Sequence, residues 1–268
     1  MTTSAQAPGG TTTAVRGRFV WHDLMTTDVE GATQFYTAVT GWGTQAWEEV
    51  TPPYTMWVVG GAPIGGVMQL PEEVAKSGTP PHWLTYIESP DVDETFARAK
   101  QLGATTFVPP TDIPTVGRFA VMADPQGAAF AVFTPLTQSP THDGQPRVGE
   151  FSWHELVTTN QDAGFAFYEQ LFGWNKTSAV EMNGAATYQM FGRGDVPIGG
   201  MYEIQPGTQP PPNWLPYIRV ANADRAAAQA KELGGTIVRE PMDVPGGDRI
   251  AIILDPQGAT IALHSTKA

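Results

Sequence analysis

Trp21-His22-Asp23-Leu24 returns 132 residues later as Trp153-His154-Glu155-Leu156, and the fold follows from that recurrence. Phe35-Tyr36 and Gly41-Trp42 come back at the same offset as Phe167-Tyr168 and Gly173-Trp174. Farther along, Pro63-Ile64-Gly65-Gly66 reappears as Pro197-Ile198-Gly199-Gly200 at 134, and Trp83-Leu84 as Trp214-Leu215 at 131. Asp124-Pro125-Gln126-Gly127-Ala128 reappears as Asp255-Pro256-Gln257-Gly258-Ala259, also at 131. Matches that keep one order with shifts of only two or three residues indicate a tandem duplication. The chain therefore divides into an N-terminal arm (1–16), a first module (17–135), a linker (136–147) rich in Pro, Ser, Thr and Gly, and a second module (148–268).

Within a copy the pattern halves again. A strand from Phe19 to Leu24 leads to Thr27-Asp28, a helix-capping pair. Val29, Ala32, Phe35 or Tyr36, and Val39 then fall near helical spacing until Gly41. Strands are expected near Gln45 to Glu49, Tyr54 to Val59 and Ile64 to Leu70. The cycle repeats with a strand from Trp83 to Glu88, a helix from about Asp91 to Leu102, and strands near Thr105 to Val108, Arg118 to Ala123 and Ala129 to Thr134. The expected class is α+β, with each module a pair of βαβββ units. One helix covers only one face of a four-stranded sheet, so two units must curl together around a cleft. That cleft is the expected ligand site.

Composition narrows the function. The 27 acidic against 15 basic side chains give a formal charge of −12, which repels phosphate backbones and anionic lipid surfaces. Neither nucleic acid nor membrane is an expected partner. The absence of cysteine excludes thiolate catalysis, disulfides and Cys-ligated metals. No apolar run reaches membrane-helix length and the first residues lack a secretion-signal pattern, so the sequence reads as a soluble, cytoplasmic protein.

The strand Trp-His-Asp-Leu-x-Thr-x-Asp, the helix ending Phe-Tyr-x-x-x-x-Gly-Trp and the Asp-Pro-Gln-Gly hairpin, each found twice in the same order, resemble the glyoxalase/bleomycin-resistance/extradiol-dioxygenase (vicinal oxygen chelate) superfamily. The resemblance covers nearly all of 17–135 and 148–266. It is nearest to bacterial two-module proteins described as glyoxalase-like or as hydroxylases. It implies a tandem in which the two modules pair within one chain, in place of a homodimer. It also implies, in metal-dependent members, a divalent ion held by His, Gln or Glu on inward strand positions at about 2.0 to 2.2 Å. Carried onto this sequence, those positions fall on Trp21, Gln69, Leu84 and Ala131 in the first copy, and on Trp153, Glu203, Leu215 and Ala262 in the second. Most of these cannot ligate. No cofactor is expected, with a divalent metal as the alternative; its weak candidate ligands are Gln69, His82, Glu203 and His264.

Individual residues carry competing readings. Adjacent strand residues face opposite ways, so if Trp21 points into the cleft, His22 points out and Asp23 in. His22 and His154 are accordingly read as structural. His82, matched by Asn213, reads as a polar cap at a strand start. His264, two residues beyond Ala262, is the best-placed histidine for the second cleft, whereas His142 falls in the linker. Trp21, Trp83, Trp153 and Trp214 at or beside ligand positions would turn a chelating cleft into an aromatic one. Trp42 and Trp174 read as packing residues. Arg118 and Arg249 suit either a ligand carboxylate or pairing with Glu88, Asp112 or Asp243. The ligand-binding candidates are Trp21, Asp23, Trp83, Tyr86 and Arg118 in the first copy, with Trp153, Glu155, Trp214, Tyr217 and Arg249 in the second. Three functions compete. One is a binder of an apolar or aromatic metabolite or antibiotic, on the pattern of the bleomycin-resistance branch. Another is a metal-assisted lyase, isomerase or dioxygenase using Glu203 with His264 as a noncanonical site. The third is a surface-recognition scaffold.

Overall fold

The computed structural model describes residues 16–48, 50, 54–137, 145–182, 187–205, 207 and 211–266. The N-terminal arm up to residue 15, His142 and the middle of the linker lie outside them. The first module runs β1 (Phe19–Thr26), α1 (Val29–Thr40), β2 (Gly43–Trp47), β3 (Tyr54–Val59), β4 (Ala62–Gln69), α2 (Glu72–Lys76), β5 (His82–Glu88), α3 (Val92–Gln101), β6 (Thr105–Ile113), β7 (Gly117–Ala123) and β8 (Ala129–Pro135). The second runs β9 (Phe151–Thr158), α4 (Gln161–Phe172), β10 (Asn175–Glu181), β11 (Thr187–Arg193), β12 (Val196–Glu203), β13 (Asn213–Arg219), α5 (Ala223–Glu232), β14 (Thr236–Asp243), β15 (Arg249–Leu254) and β16 (Thr260–Ser265). The short helix α2 is the one element of the first module that periodicity did not anticipate.

Each helix of the repeat starts on a side-chain cap. Asp28 accepts from Gly31 N and Asn160 from Ala163 N, while Asp91 and Asn222 do the same for α3 and α5. Gly41 ends α1 at φ 78°, a left-handed turn that a side chain would oppose.

The eight strands of each module form one mixed sheet, ordered β2-β3-β4-β1-β5-β8-β7-β6 and β10-β11-β12-β9-β13-β16-β15-β14. The expected pair of βαβββ units is thus joined through β1 with β5, and through β9 with β13. The helix-bearing faces of the two sheets meet each other, with α1 against α5, α3 against α4 and β5 against β13. Two apolar cores result, and each draws on both modules. One joins Leu24, Phe35, Trp57 and Trp83 to Ile218, Ala227, Ile253 and Leu263; the other joins Ile87, Met122 and Phe130 to Leu156, Tyr168, Phe191 and Trp214. Neither module has a private core on its helical side, so the chain folds as a pseudo-symmetric pair.

The repeated motifs sit on this shared boundary. Tyr36 Oη donates to Asp255 Oδ2 at 3.0 Å and receives the Trp83 indole N–H at 3.1 Å. In the mirror arrangement, Tyr168 Oη donates to Asp124 Oδ2 at 3.1 Å and receives Trp214 at 2.9 Å. Trp42 Nε1 donates to the Gly149 carbonyl and Trp174 Nε1 to that of Gly17, each crossing to the other module. At the centre His22 Nε2 meets His154 Nε2 at 2.8 Å. Phe151 stacks on His22 and Phe19 on His154, each at 3.6 Å between ring centroids. His22 therefore does point away from the cleft.

Candidate functional site

The face of each sheet away from the helices carries its own apolar cluster. In the first module Leu84, Tyr86, Val121 and Ala131 are buried there, with Trp21, Met25, Val108, Phe119 and Phe133 packed around them. In the second, Leu215, Tyr217 and Ala262 are joined by Trp153, Ile250 and Ile252. Leu84 is 1% exposed although no helix covers it, which requires the sheet to curl around its own side chains. Strand register shows the floor of the cleft. Trp21 pairs with Tyr86, Tyr86 with Ala131, Ala131 with Val121 and Val121 with Val108, forming one row across five strands. The matching row is Trp153, Tyr217, Ala262, Ile252 and Arg239.

Beside each row sits one buried carboxylate. Asp23 is 5% exposed and accepts the Trp21 indole N–H at 2.9 Å and the Tyr54 hydroxyl, which itself receives Trp21 at 2.8 Å. The Tyr86 hydroxyl also faces it. Burial pushes Asp23 above the usual carboxylate range, against the pull of hydrogen bonds from Tyr54, Tyr86 and Trp21. Glu155 is built the same way. Tyr217 Oη donates to its Oε2 at 3.0 Å, Tyr188 lies in reach, and Trp153 Nε1 donates to Tyr188 Oη at 2.7 Å. Burial raises Glu155 as well, opposed by Tyr217, Tyr188 and the charge of Arg239. The same burial, with the neighbouring carboxylate, drives Tyr54, Tyr86, Tyr188 and Tyr217 upward, so these phenols stay protonated and act as donors.

Room for this arrangement comes from the Ile-Gly-Gly repeats, which the sequence reading took as points of close backbone approach. Gly66 is the register partner of Asp23, and a Cβ on it would lie 1.9 Å from Tyr54 Oη. Gly200 partners Glu155 and would meet Tyr188 Cε1 at 2.2 Å. The tyrosine thus lies flat across the glycine and reaches the carboxylate. Sequence reasoning missed Tyr54 and Tyr188. Their recurrence at an offset of 134, the same as that of the glycines, is the signal that would have found them.

Several expected site residues lie elsewhere. Trp83 and Trp214 are in the helix-side cores and not in the clefts, because Leu84 and Tyr86 take the cleft-facing phase of β5 and strand neighbours alternate. Arg118 shares its face with Ala120 and Met122, which also lie on the helical side. It pairs with Asp93 at 2.7 Å and Asp112 at 2.7 Å, outside the cleft. Arg249 likewise follows the phase of Ala251 and Ile253 and pairs with Asp224 and Asp243. Glu203 accepts the backbone N–H of Gln161 at 3.1 Å and lies beside Thr158. His264 is bound by Ser152 at 2.8 Å and Asp248 at 3.0 Å. Those anchors are at opposite ends of β9, on the order of 20 Å apart at strand spacing, so Glu203 and His264 form no common site. Gln69 donates to the Thr27 carbonyl. His82 Nδ1 lies 2.8 Å from the Pro80 carbonyl, matching Asn213 Nδ2 to the Pro211 carbonyl at 2.7 Å, a polar cap in both copies.

With this geometry in hand, similarity to known proteins is informative. The model of the Glyoxalase/Bleomycin resistance protein/Dioxygenase superfamily matches residues 18–132 and again 150–263. The chain is 35% identical over 252 residues to a Mycobacterium tuberculosis (strain CDC 1551 / Oshkosh) protein provisionally named glyoxylase CFP32, covering 91% of this chain and 92% of that one. It is 31% identical over 255 residues to the anthracycline biosynthesis protein DnrV of Streptomyces peucetius, covering 91% of each. The 2,3-dioxygenase LapB from Pseudomonas sp. KL28 superposes with a TM-score of 0.67 at 10% identity, covering 95% of this chain and 94% of LapB. A Mn(II)-bound glyoxalase from Novosphingobium aromaticivorans superposes with a TM-score of 0.65 at 15% identity, covering 94% and 83%. At such identities the likeness to solved structures is one of fold.

A divalent ion of the kind that glyoxalase holds does not fit the donors present here. Trp21, Leu84 and Ala131, with Trp153, Leu215 and Ala262 in the second cleft, offer no lone pair to a metal, and each cleft carboxylate is already engaged by phenol or indole donors. Among the described residues no three His, Asp or Glu side chains converge. With both halves matched and relatives above 30% identity along most of its length, the chain belongs to the glyoxalase/bleomycin resistance protein/dioxygenase superfamily.

Proposed function

We propose that each module binds a small, flat, apolar or aromatic molecule in its cleft, with the buried carboxylate and its phenols reading one polar group of the guest. The observation that carries this reading is a cleft lined by Trp21, Leu84 and Ala131, and in the second module by Trp153, Leu215 and Ala262, the positions that the resemblance assigns to chelation, around a single tyrosine-bonded carboxylate. Indole and phenol surfaces favour flat guests by stacking, and a few convergent polar groups set orientation. A carboxyl whose proton is held more tightly than usual can donate to a guest carbonyl when protonated and accept from a guest hydroxyl when ionised. The relationship to an anthracycline biosynthesis protein is in keeping with such a guest, since anthracyclines are fused-ring aromatics.

Native mass spectrometry of the protein isolated from its own host tests the proposal. An organic adduct, displaced in the Trp21→Ala/Trp153→Ala double variant, is the expected result. A tightly held stoichiometric divalent ion, or a bare chain in both proteins, would overturn it.

A further inference from the structure

The two clefts are not equivalent, and one of their differences is the charge of an arginine. Val108 ends the cross-strand row of the first cleft and packs against its apolar cluster. The residue in the same place in the second row is Arg239, paired in register with Ile252, which lines that cleft. Tyr202 likewise stands where the first copy has Met68. A register shift on each side of Arg239 takes it off the helix-side phase of Ile237 and pairs it with Ile252, so its side chain leaves β14 on the cleft side. Its charge reaches both Glu155 and Tyr202. Curling of the sheet accounts for that reach, because a flat row would hold Arg239 several strands away from Glu155.

Arg239 also differs from the arginines that the acidic surface neutralises. Arg18 pairs with Glu88, Arg118 with Asp93 and Asp112, and Arg249 with Asp224 and Asp243. Arg239 is in none of the ion pairs of the described residues, which is equally true of Arg98, Arg193, Arg219 and Arg225; what sets it apart is that its charge acts on the buried cleft carboxylate Glu155. The Arg239 side chain is exposed at the rim, while Glu155 is buried at the floor beside Trp153. The polar groups of the second cleft thus include a guanidinium at the mouth and a phenol-bonded carboxyl at the base, with Tyr202 near both, and His264, the register partner of Ile250, already engaged by Ser152 and Asp248.

We infer that the second cleft selects an anionic aromatic guest, a carboxylate or ionised enol on a flat ring system, held by Arg239, whereas the first cleft takes a neutral guest. This rests on the binding function proposed above and adds the chemical class and its assignment to one module. Arg239 is a specificity-determining residue. A guanidinium meeting a carboxylate in fork geometry forms the strongest class of hydrogen bond, and replacing it should cost at least about ten-fold in affinity.

Isothermal titration calorimetry with 2-naphthoate and its neutral analogue 2-naphthamide distinguishes the two ideas. Naphthamide binding reports on the clefts themselves, and the difference between the probes reports on Arg239. Arg239→Gln is expected to weaken naphthoate by about ten-fold or more and leave naphthamide unchanged. Val108→Arg is expected to create a second naphthoate site in the first module. Naphthamide binding with equal naphthoate affinities in wild type and Arg239→Gln would overturn this inference and leave the binding function standing. Failure of both probes to bind would overturn both.

Discussion

Lowering the pH should pull the two modules apart at a defined place, the His22–His154 contact. Both imidazoles are buried between the modules, and their ring faces are covered by Phe151 and Phe19. Burial holds His154 down to about 3, with the Ile198 carbonyl opposing. His22 is also held well below the usual imidazole range, by burial first and by His154 second. An unfolded histidine takes its proton near 6.5, so below that pH the unfolded chain binds more protons than the folded one. Stability is then complete above about pH 6.5 and declines as pH falls toward the folded values. For His154 alone the loss between pH 7 and pH 5 is about 2 kcal/mol, at 1.36 kcal/mol per pH unit over the part of that interval below 6.5. His22 adds to it in the same direction. Asp23, Asp124, Glu155 and Asp255 act oppositely, because burial raises each of them and the folded state takes up their protons first on acidification. The histidine contribution must therefore be read as a difference. Urea unfolding of the wild type and of a His22→Leu/His154→Leu variant at pH 7 and pH 5 provides it, since removing both partners leaves neither ring nitrogen stranded. The wild type should lose at least about 2 kcal/mol more than the variant. Equal losses would refute the assignment of acid sensitivity to this pair.

The remaining expectations concern the clefts and the boundary. Gly66→Ala or Gly200→Ala should displace the tyrosine lying over the glycine, destabilise the chain by about 1–3 kcal/mol and weaken guest binding in that module only, as calorimetry of each variant would show. Tyr36→Phe removes the hydroxyl that joins Trp83 to Asp255 across the modules and should cost about 1–3 kcal/mol in denaturant unfolding, with guest affinity unchanged. Asp23→Asn abolishes a carboxyl whose folded-state proton affinity is raised; because that group destabilises the fold as pH rises through its folded pKa, the variant should be at least as stable as wild type at pH 7 and lose part of the pH dependence below it. Arg118→Gln, at an exposed pair with Asp93 and Asp112, should leave guest binding untouched.

The duplication, the helix starts at Asp28 and Asn160, and the stop at Gly41 were legible in the sequence because each depends on a few adjacent residues. The outward direction of His22 was legible for the same reason, given an inward Trp21. The inward phase of Leu84 came from the family resemblance, and the structure agrees with it; that Trp83, its neighbour, would therefore face the opposite way into a core shared with the second module was not drawn, because that core is built in part from residues more than 130 positions away. The recurrence of Phe-Tyr, Gly-Trp and Asp-Pro-Gln-Gly was visible, but not that Tyr36 would find its partner in Asp255, 219 residues away.

By itself, then, the sequence determined what short-range physics controls, namely the repeat, the order of elements and the capped helix ends, while the placement of chelating positions on Trp, Leu and Ala was what the family resemblance implied. Only the tertiary structure decided which side chains meet. Tyr54 reaches Asp23 because the β3–β4 hairpin docks its second strand alongside β1, placing β3 one strand farther out, and Gly66 clears the space between them. Arg239 enters the field of Glu155 because an eight-stranded sheet curls, which is a property of the whole sheet and of no single strand in it.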